Sequence, residues 1–223
     1  MSNHIRYFSV KHSNFDYISV NKILINTYLL LSSTILFSAL MAFISVKTFV
    51  KPINFLSMII IYISLLFCIN YFKKNSLSLF FVFALTGFLG YYSGPYISYF
   101  LHIKNGSQIL FSSLSLTGFI FLALSFYSFI TKKNFSFLSN FLFVGTIVIF
   151  ACIFFNFFLN IKLIHVAISG FFIVFSSASI LYNISSIINE GEDDYIDITI
   201  SLYLSLYNIF FSLLNIFGFV NDD

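Results

Sequence analysis

The stretch "SLYLSLYNIFFSLLN", residues 201–215, carries a polar stripe through an otherwise apolar segment. Its serines and asparagines are spaced four, three, four and three positions apart, so on an α-helix they fall on one face, with Leu, Ile and Phe on the remaining surface. The members of the stripe are Ser201, Ser205, Asn208, Ser212 and Asn215. A helix that contacts only lipid has no use for such a stripe, so the pattern predicts a membrane helix that lies inside a bundle.

The composition of the whole chain indicates a membrane protein. Of its 223 residues, 59% are hydrophobic and 9% are charged, and the mean hydropathy is +0.97. Each apolar run has about the 20 residues that a helix needs to cross roughly 30 Å of hydrocarbon. The seven runs, none of which contains Lys, Arg, Asp or Glu, are Ile23–Val46, Ile53–Phe72, Leu77–Leu101, Ile109–Ile130, Phe137–Leu159, Leu163–Ile188 and Ile198–Phe219.

These runs predict an all-α membrane protein in which residues 23–219 form one domain of seven transmembrane helices. Residues 1–22 form a cytoplasmic N-terminal tail, and residues 220–223 a periplasmic C-terminus. The orientation follows from Lys and Arg, which are enriched in cytoplasmic loops: with the N-terminus inside, seven basic residues are cytoplasmic and four are outside. The seven are Arg6, Lys11, Lys22, Lys73, Lys74, Lys132 and Lys133. The net charge of +3 is therefore a topology signal and predicts no nucleic-acid partner.

The residue types that catalysis or metal binding requires do not occur in a recognisable pattern. The runs contain no carboxylate pair, no His–Glu zinc motif and no Ser with a placed general base, so we expect no enzymatic activity. Cys68 and Cys152 are interpreted as small buried hydrophobes. The acidic connection at residues 189–197 does not match a calcium-binding loop and is expected to stabilise the N-terminus of the last helix. We predict no catalytic residue, no metal site and no cofactor.

The third run contains "ALTGFLGYYSGPYISYF", residues 84–100. Gly87, Gly90 and Gly94 permit the close backbone approach of a neighbouring helix, as small residues do in membrane interfaces. Pro95 removes one helical hydrogen bond and is expected to kink the helix. Packing is favoured over a gating role, because Gly and Pro are common in transmembrane helices.

The sixth run, "HVAISGFFIVFSSASILYNISSI" at residues 165–187, also has a polar side. Asn183 and Ser205 lie close to the short acidic turn that joins two antiparallel helices, each roughly 8 to 11 Å into the membrane, so they can face each other. The seventh helix then lies inside the bundle, and hydrogen bonds from its stripe to neighbouring helices are expected to contribute about 0.6 kcal/mol each. His165 is interpreted as an interfacial hydrogen-bonding residue. The predicted polar seam comprises Ser176, Asn183, Ser201, Ser205, Asn208, Ser212 and Asn215.

Four segments carry a resemblance to a known family: "TGFLGYYSGP", "TKKNFSFL", "HVAIS" and "EGEDDYIDITISLYLSLYNIFFSLLNIFGF". In order along the chain, from about Asn21 to Asp223, they resemble the Bax inhibitor family of seven-helix membrane proteins. The resemblance is closest to the proteobacterial, YccA-type branch, whose members modulate the FtsH protease. It implies that the seventh helix is central and surrounded by the other six.

For function, the resemblance implies a bacterial inner-membrane protein that binds FtsH, a membrane-anchored ATP-dependent protease, and restrains its action on other membrane proteins. The flexible tail that FtsH could grip carries Arg6, Lys11 and Lys22. The packed helices would resist extraction, which makes the chain a partner and slow client of an enzyme.

The family also suggests a pH-sensitive calcium leak controlled by two facing aspartates, which fall at Asn183 and Ser205 here. An amide and a hydroxyl neither titrate nor attract divalent ions, so a calcium partner is doubtful for this chain. A third alternative is a generic membrane-stress protein whose polar seam only packs helices.

Overall fold

The computed structural model consists of helices and short connections. It describes residues 2–221 except Lys74, residues 160–161 and residues 190–193, and it describes side chains except those of residues 2–19, 55, 150, 153–159 and 162–163. The described chain forms seven α-helices: α1 (Ser2–Lys47), α2 (Phe55–Tyr71), α3 (Leu77–His102), α4 (Gly106–Thr131), α5 (Leu138–Leu159), α6 (Lys162–Asn189) and α7 (Tyr195–Asn221). The all-α membrane architecture expected from the seven apolar runs is confirmed.

The helix bounds differ most from the apolar runs at the start of the chain. The first helix begins at Ser2, and its segment that is long and apolar enough to span a membrane, Val20–Lys47, agrees with the predicted run Ile23–Val46. Four further segments meet the same criterion: Leu77–His102, Gly106–Thr131, Ile164–Asn189 and Tyr195–Asn221. With 17 residues, α2 is about 26 Å long, which is at the short end of what the hydrocarbon core requires.

The seventh helix lies inside the bundle, but it does not contact all six others. Within the described residues α7 contacts α1, α3, α4 and α6, whereas α2 packs on α3 and α5 packs on α6. The expectation that six helices surround α7 was therefore wrong for α2 and α5. These two helices are almost uniformly apolar, so the bilayer solvates them well, while α3, α6 and α7 carry the small and polar residues that gain most from burial.

The apolar core follows α7 along its length. One cluster includes the fully buried Leu85, Ile180, Leu202 and Ile209, and a smaller one joins Phe100, Ile109 and Leu110 to Leu214. The larger cluster lies toward the end of the bundle that holds the α2–α3, α4–α5 and α6–α7 connections, called the Lys73 end below. The smaller cluster lies toward the opposite end, called the His165 end.

At the Lys73 end, one carboxylate joins two connections. The backbone N–H groups of Ile196 and Asp197 donate to Asp194 Oδ1, at 3.1 and 3.2 Å, so Asp194 caps α7. Its other oxygen lies 2.6 Å from Lys73 Nζ, and Asp197 Oδ2 lies 2.5 Å from the same ammonium. Asp194 therefore stabilises the start of α7 in the way expected of the acidic connection, whose residues 190–193 lie outside the described residues.

A second connection at this end is held by α6. Ser185 Oγ accepts from the backbone N–H of Phe135, at 2.9 Å, and donates to the carbonyl oxygen of Lys133, at 3.1 Å. Asn189 Nδ2 donates to the same carbonyl, at 3.2 Å. The α4–α5 connection is thus fixed against the last turns of α6.

The two roles of Asp194 can be separated by substitution. Asp194→Ala removes both the helix cap and the ion pair, so it is expected to cost about 1 to 2 kcal/mol of unfolding free energy. Asp194→Asn keeps an oxygen that can cap the helix and loses only the charge, so we expect less than about 1 kcal/mol. Unfolding in mixed detergent micelles measures both values, and equal costs for the two variants would contradict the capping role.

Candidate functional site

The polar seam predicted from the sequence is mostly buried. Ser176 and Asn183 of α6 and Ser205 and Ser212 of α7 are buried, at 8% exposure or less. Ser201 and Asn208 are half-buried, and Asn215 is exposed at the His165 end. The stripe that began the sequence analysis is thus at least half-buried as far as Ser212, and toward the His165 end it lines a cavity together with Ile168 and Ser169 of α6.

The seam does not join its two helices by hydrogen bonds in the way expected. Ser205 Oγ donates to the carbonyl oxygen of Ser201 one turn earlier, at 2.7 Å, and Asn183 Nδ2 donates to the carbonyl oxygen of Ser179, at 2.6 Å. Of the seam side chains described, Asn215 alone bonds to another helix, accepting from the hydroxyl of Tyr96 in α3. Short polar side chains in a membrane helix can be satisfied by their own backbone, and this alternative was preferred here.

A tyrosine outside the stripe makes the central hydrogen bonds between helices. Tyr203 of α7 is buried, at 3% exposure, and its hydroxyl lies 2.6 Å from Ser38 Oγ of α1 and 3.2 Å from the carbonyl oxygen of Thr86 in α3. A carbonyl can only accept, and a phenol has one proton, so Tyr203 donates to Thr86 and accepts from Ser38. Sequence reasoning missed Tyr203, although a tyrosine deep in an apolar run requires a polar partner.

The glycines of α3 lie against α1. A Cβ atom built on Gly87 would lie 2.5 Å from the ring of Phe37, one on Gly90 would lie 2.2 Å from the carbonyl oxygen of Ser38, and one on Gly94 would lie 2.2 Å from Ser45 Oγ. These three pairs, Gly87 with Phe37, Gly90 with Ser38 and Gly94 with Ser45, are called the glycine contact below. Pro95 follows within α3, which continues to His102.

At the His165 end, α3, α6 and α7 form an open cleft that has both polar and apolar residues in its walls. It consists of two adjoining cavities of about 220 and 240 Å³, which share His165 and Asn215 in their walls. Asn208 and Ser212 line the larger cavity. Neither side chain makes a hydrogen bond to another described residue.

The comparison with known families identifies the fold. The family model described as "Inhibitor of apoptosis-promoting Bax1" matches residues 20–222. The chain belongs to the Bax inhibitor family. This membership agrees with the helical architecture and with the glycine-rich α3 and polar α7 on which the resemblance was based.

Several relatives in the Bax inhibitor family are similar over nearly their whole length. A protein of Escherichia coli K12 named modulator of FtsH protease YccA is 38% identical over 98% of this chain and 99% of its own. An uncharacterized protein of Pseudomonas aeruginosa is 40% identical over 92% of both chains. An uncharacterized membrane protein of Vibrio cholerae is 38% identical over 92% of this chain and 93% of its own.

The two positions at which the resemblance implies paired aspartates lie near the Lys73 end of the seam. Asn183 and Ser205 are both neutral, and each bonds to a backbone carbonyl of its own helix. Across the described residues, no group of three or more His, Cys, Asp or Glu is placed to hold a metal ion. Because neither an amide nor a hydroxyl titrates near neutral pH, these two side chains are suited to packing between helices.

The tail residues fall largely outside the described side chains. Arg6 and Lys11 lie in the part of α1 whose side chains the structure does not describe, so their proposed contacts stay predictions. Lys22 is described and exposed, on the turn of α1 where the apolar segment begins.

The role of the Asn208 side chain in the cleft can be tested by substitution. Asn208→Leu removes a polar group that has no hydrogen-bond partner among the described residues, so stability is expected to stay unchanged or to rise by up to about 1 kcal/mol. The matched change Asn215→Leu removes the bond from Tyr96 and is expected to cost about 0.6 kcal/mol. Thermal unfolding in detergent compares the two variants, and a larger loss for Asn208→Leu would show that this amide has a structural partner.

Proposed function

We propose that this chain is an inner-membrane protein that binds the FtsH protease and restrains its action on other membrane proteins. The observation that carries the proposal is the similarity to the E. coli protein named as a modulator of FtsH, which extends over 98% of this chain. That match leaves out about five residues, so it includes most of the stretch before residue 20, which the family model does not match. The tail is therefore part of what this chain shares with the FtsH modulator.

The fold supports an orientation with the N-terminus in the cytoplasm. Lys73, Lys132 and Lys133 lie on the connections at the Lys73 end, the same end at which Lys22 enters the apolar part of α1. Positive charge is enriched on the cytoplasmic side of membrane proteins. In this orientation the tail and the α6–α7 connection face the compartment in which FtsH has its ATP-dependent activity, and the C-terminus is periplasmic.

In this proposal the chain acts by binding and not by catalysis. The described carboxylates, Asp194 and Asp197, are held by Lys73 and by the N-terminus of α7. The buried hydroxyl of Ser205 is bonded to its own helix. Groups held in this way stabilise a fold and are poorly placed to attack or protonate a substrate.

A cross-linked pull-down from membranes tests the proposal. The intact chain is expected to recover FtsH, and a version that lacks residues 2–20 is expected to lose it, because the tail provides the grip. A chain whose residues 2–20 are scrambled in order, with the same composition, controls for length and charge. Recovery with neither the intact nor the scrambled chain would contradict the proposed partnership, and recovery with the truncated chain would exclude the tail as the site of contact.

A calcium leak is the second candidate, and the cleft that opens at the His165 end is the observation that favours it. Toward the Lys73 end, however, the seam is closed by the buried and neutral Asn183 and Ser205. We rank this function second because an ion path controlled by pH requires groups that titrate.

Flux measurements in proteoliposomes separate the two candidates. Calcium flux through the unmodified chain is expected at background and unchanged between about pH 6 and 8, the range in which a carboxylate pair of raised pKa would titrate. The double substitution Asn183→Asp with Ser205→Asp restores such a pair and shows whether the assay can detect gated flux. Flux through the unmodified chain that responds to pH would reverse the ranking.

A further inference from the structure

The apolar span of α1, which follows the tail within the same helix, is held to the bundle by a narrow strip of residues. Along the span Val20–Lys47, the side chains of Leu29, Leu36, Leu40 and Phe43 are more than half exposed on the outer surface. The residues of α1 that are buried are mostly small or polar: Thr27, Leu31, Thr34 and Ser45. Lipid solvates the exposed side, so the specific attachment of α1 depends on the buried strip.

The glycine contact is the closest part of that strip. At Gly90 the α3 backbone approaches the carbonyl oxygen of Ser38 so closely that a methyl group would lie 2.2 Å from it, a distance that real Cβ atoms do not adopt. At Gly94 the obstacle is Ser45, which is buried and cannot rotate into lipid. Helices in such contact gain dispersion energy along their backbones, which is the main attraction available between helices in lipid.

A hydrogen bond joins the same point to the centre of the bundle. Ser38 donates to Tyr203, and Tyr203 donates to the carbonyl oxygen of Thr86, so α1, α3 and α7 meet at one hydroxyl. Displacing α1 would leave the Tyr203 hydroxyl with one partner fewer in a region without water. The contact and the hydrogen bond would therefore be lost together.

We propose that the glycine contact, with the Ser38–Tyr203 hydrogen bond, sets the rate at which FtsH extracts this chain and so decides between restraint of the protease and degradation by it. The inference rests on the proposed function. A pull on the tail loads the apolar span Val20–Lys47 first, because the tail and this span are consecutive parts of one helix, α1. Extraction of α1 must therefore break this contact before any other helix is pulled. The next helix, α2, packs on α3 alone among the described helices, so it adds less attachment to the bundle.

The half-life of the full-length chain in membranes with active FtsH tests the inference. Gly90→Ala is expected to shorten the half-life at least tenfold, because α1 and α3 must separate to accommodate the methyl group. Tyr203→Phe is a milder change that leaves the glycines intact and removes the bonds to Ser38 and Thr86. Because only the bond to Ser38 holds α1, the half-life is expected to shorten about threefold, the factor that corresponds to one interhelical hydrogen bond of about 0.6 kcal/mol. Proteolysis of a second membrane substrate of FtsH should rise as the half-life falls.

Two other glycines provide matched controls. Gly118→Ala on α4 places a methyl group where nothing lies within 4 Å, so the half-life should not change. Gly218→Ala on α7 places one 2.7 Å from the buried ring of Phe100, so it loosens the bundle at a point away from α1. Gly218→Ala is expected to lower the unfolding temperature with little effect on the half-life. If it shortens the half-life as much as Gly90→Ala, global stability and not the glycine contact sets the rate, and the inference is wrong.

Failure of the inference can be distinguished from failure of the proposed function. Capture by a proteolytically inactive FtsH reports binding, and it is expected to be equal for the unmodified chain, Gly90→Ala and Gly118→Ala. Absence of capture for the unmodified chain would contradict the proposed function itself. Capture with equal half-lives for all variants would leave the partnership intact and overturn the role of the glycine contact. Deletion of residues 2–20 should abolish the effect of Gly90→Ala, since the pull would have no starting point.

Discussion

The approach of α3 to α1 at Gly90 is the constraint on which the rest of the bundle depends. Helices in a bilayer have no hydrophobic reason to associate, because lipid is as apolar as their side chains, so close packing and hydrogen bonds must hold them together. At Gly90 the α3 backbone lies so close to the carbonyl oxygen of Ser38 that a methyl group does not fit between them. This proximity places the Ser38 hydroxyl against Tyr203. Tyr203 in turn reaches the Thr86 carbonyl, so the position of α7 follows from the contact between two other helices. A side chain at position 90 would move α1, remove the partner of Tyr203 and weaken the hold on the central helix in one step.

The polar residues of this bundle illustrate two ways of satisfying a hydrogen-bonding group in lipid. Ser205 and Asn183 bond within their own helices, so each presents little polarity to its neighbour, and the surrounding Ile180 and Leu202 can pack without water. Tyr203 cannot use this solution, because its hydroxyl lies beyond reach of its own backbone, and it must find partners on other helices. The seam consequently packs α6 on α7 toward the Lys73 end and borders the cleft at the His165 end. The first solution gives a close fit between two helices, while the second fixes their position relative to a third.

The sequence predicted the number of helices and the class of fold because both depend on uninterrupted apolar length, which is a local property. The position of α7 within the bundle was also predictable, since a polar stripe on an apolar helix requires burial. The neighbours of α7 were not predictable in this way: α2 and α5 are peripheral because the polar and small residues of the other helices compete for the interior, which is a property of the whole set. The prediction that the seam's hydrogen bonds join neighbouring helices was mostly wrong for a related reason. Spacing places Ser205 on a face of α7 but does not distinguish a bond to α6 from a bond to Ser201. Tyr203 was not predicted because the stripe was defined by the spacing of serines and asparagines, and this tyrosine lies between two of its members, Ser201 and Ser205.

The neutral seam also bears on how such a bundle could hold a protease. Transfer of apolar residues out of the bilayer is a cost that every multi-pass client imposes, so it cannot make one client slower than another of equal length. Contacts between helices differ from client to client, and here the glycine contact holds the helix that carries the tail. An acid pair at Asn183 and Ser205 would add a contribution to the α6–α7 interface that varies with pH, because a shared proton holds two carboxyl groups together and its loss makes them repel. With an amide and a hydroxyl in these positions, this part of the α6–α7 interface does not vary with pH, and Tyr203 of the same helix α7 bonds to Ser38 of α1. In this proposal, Asn183 and Ser205 give the resistance to extraction no dependence on pH. This suits a protein that acts by remaining bound and does not suit one that must open and close.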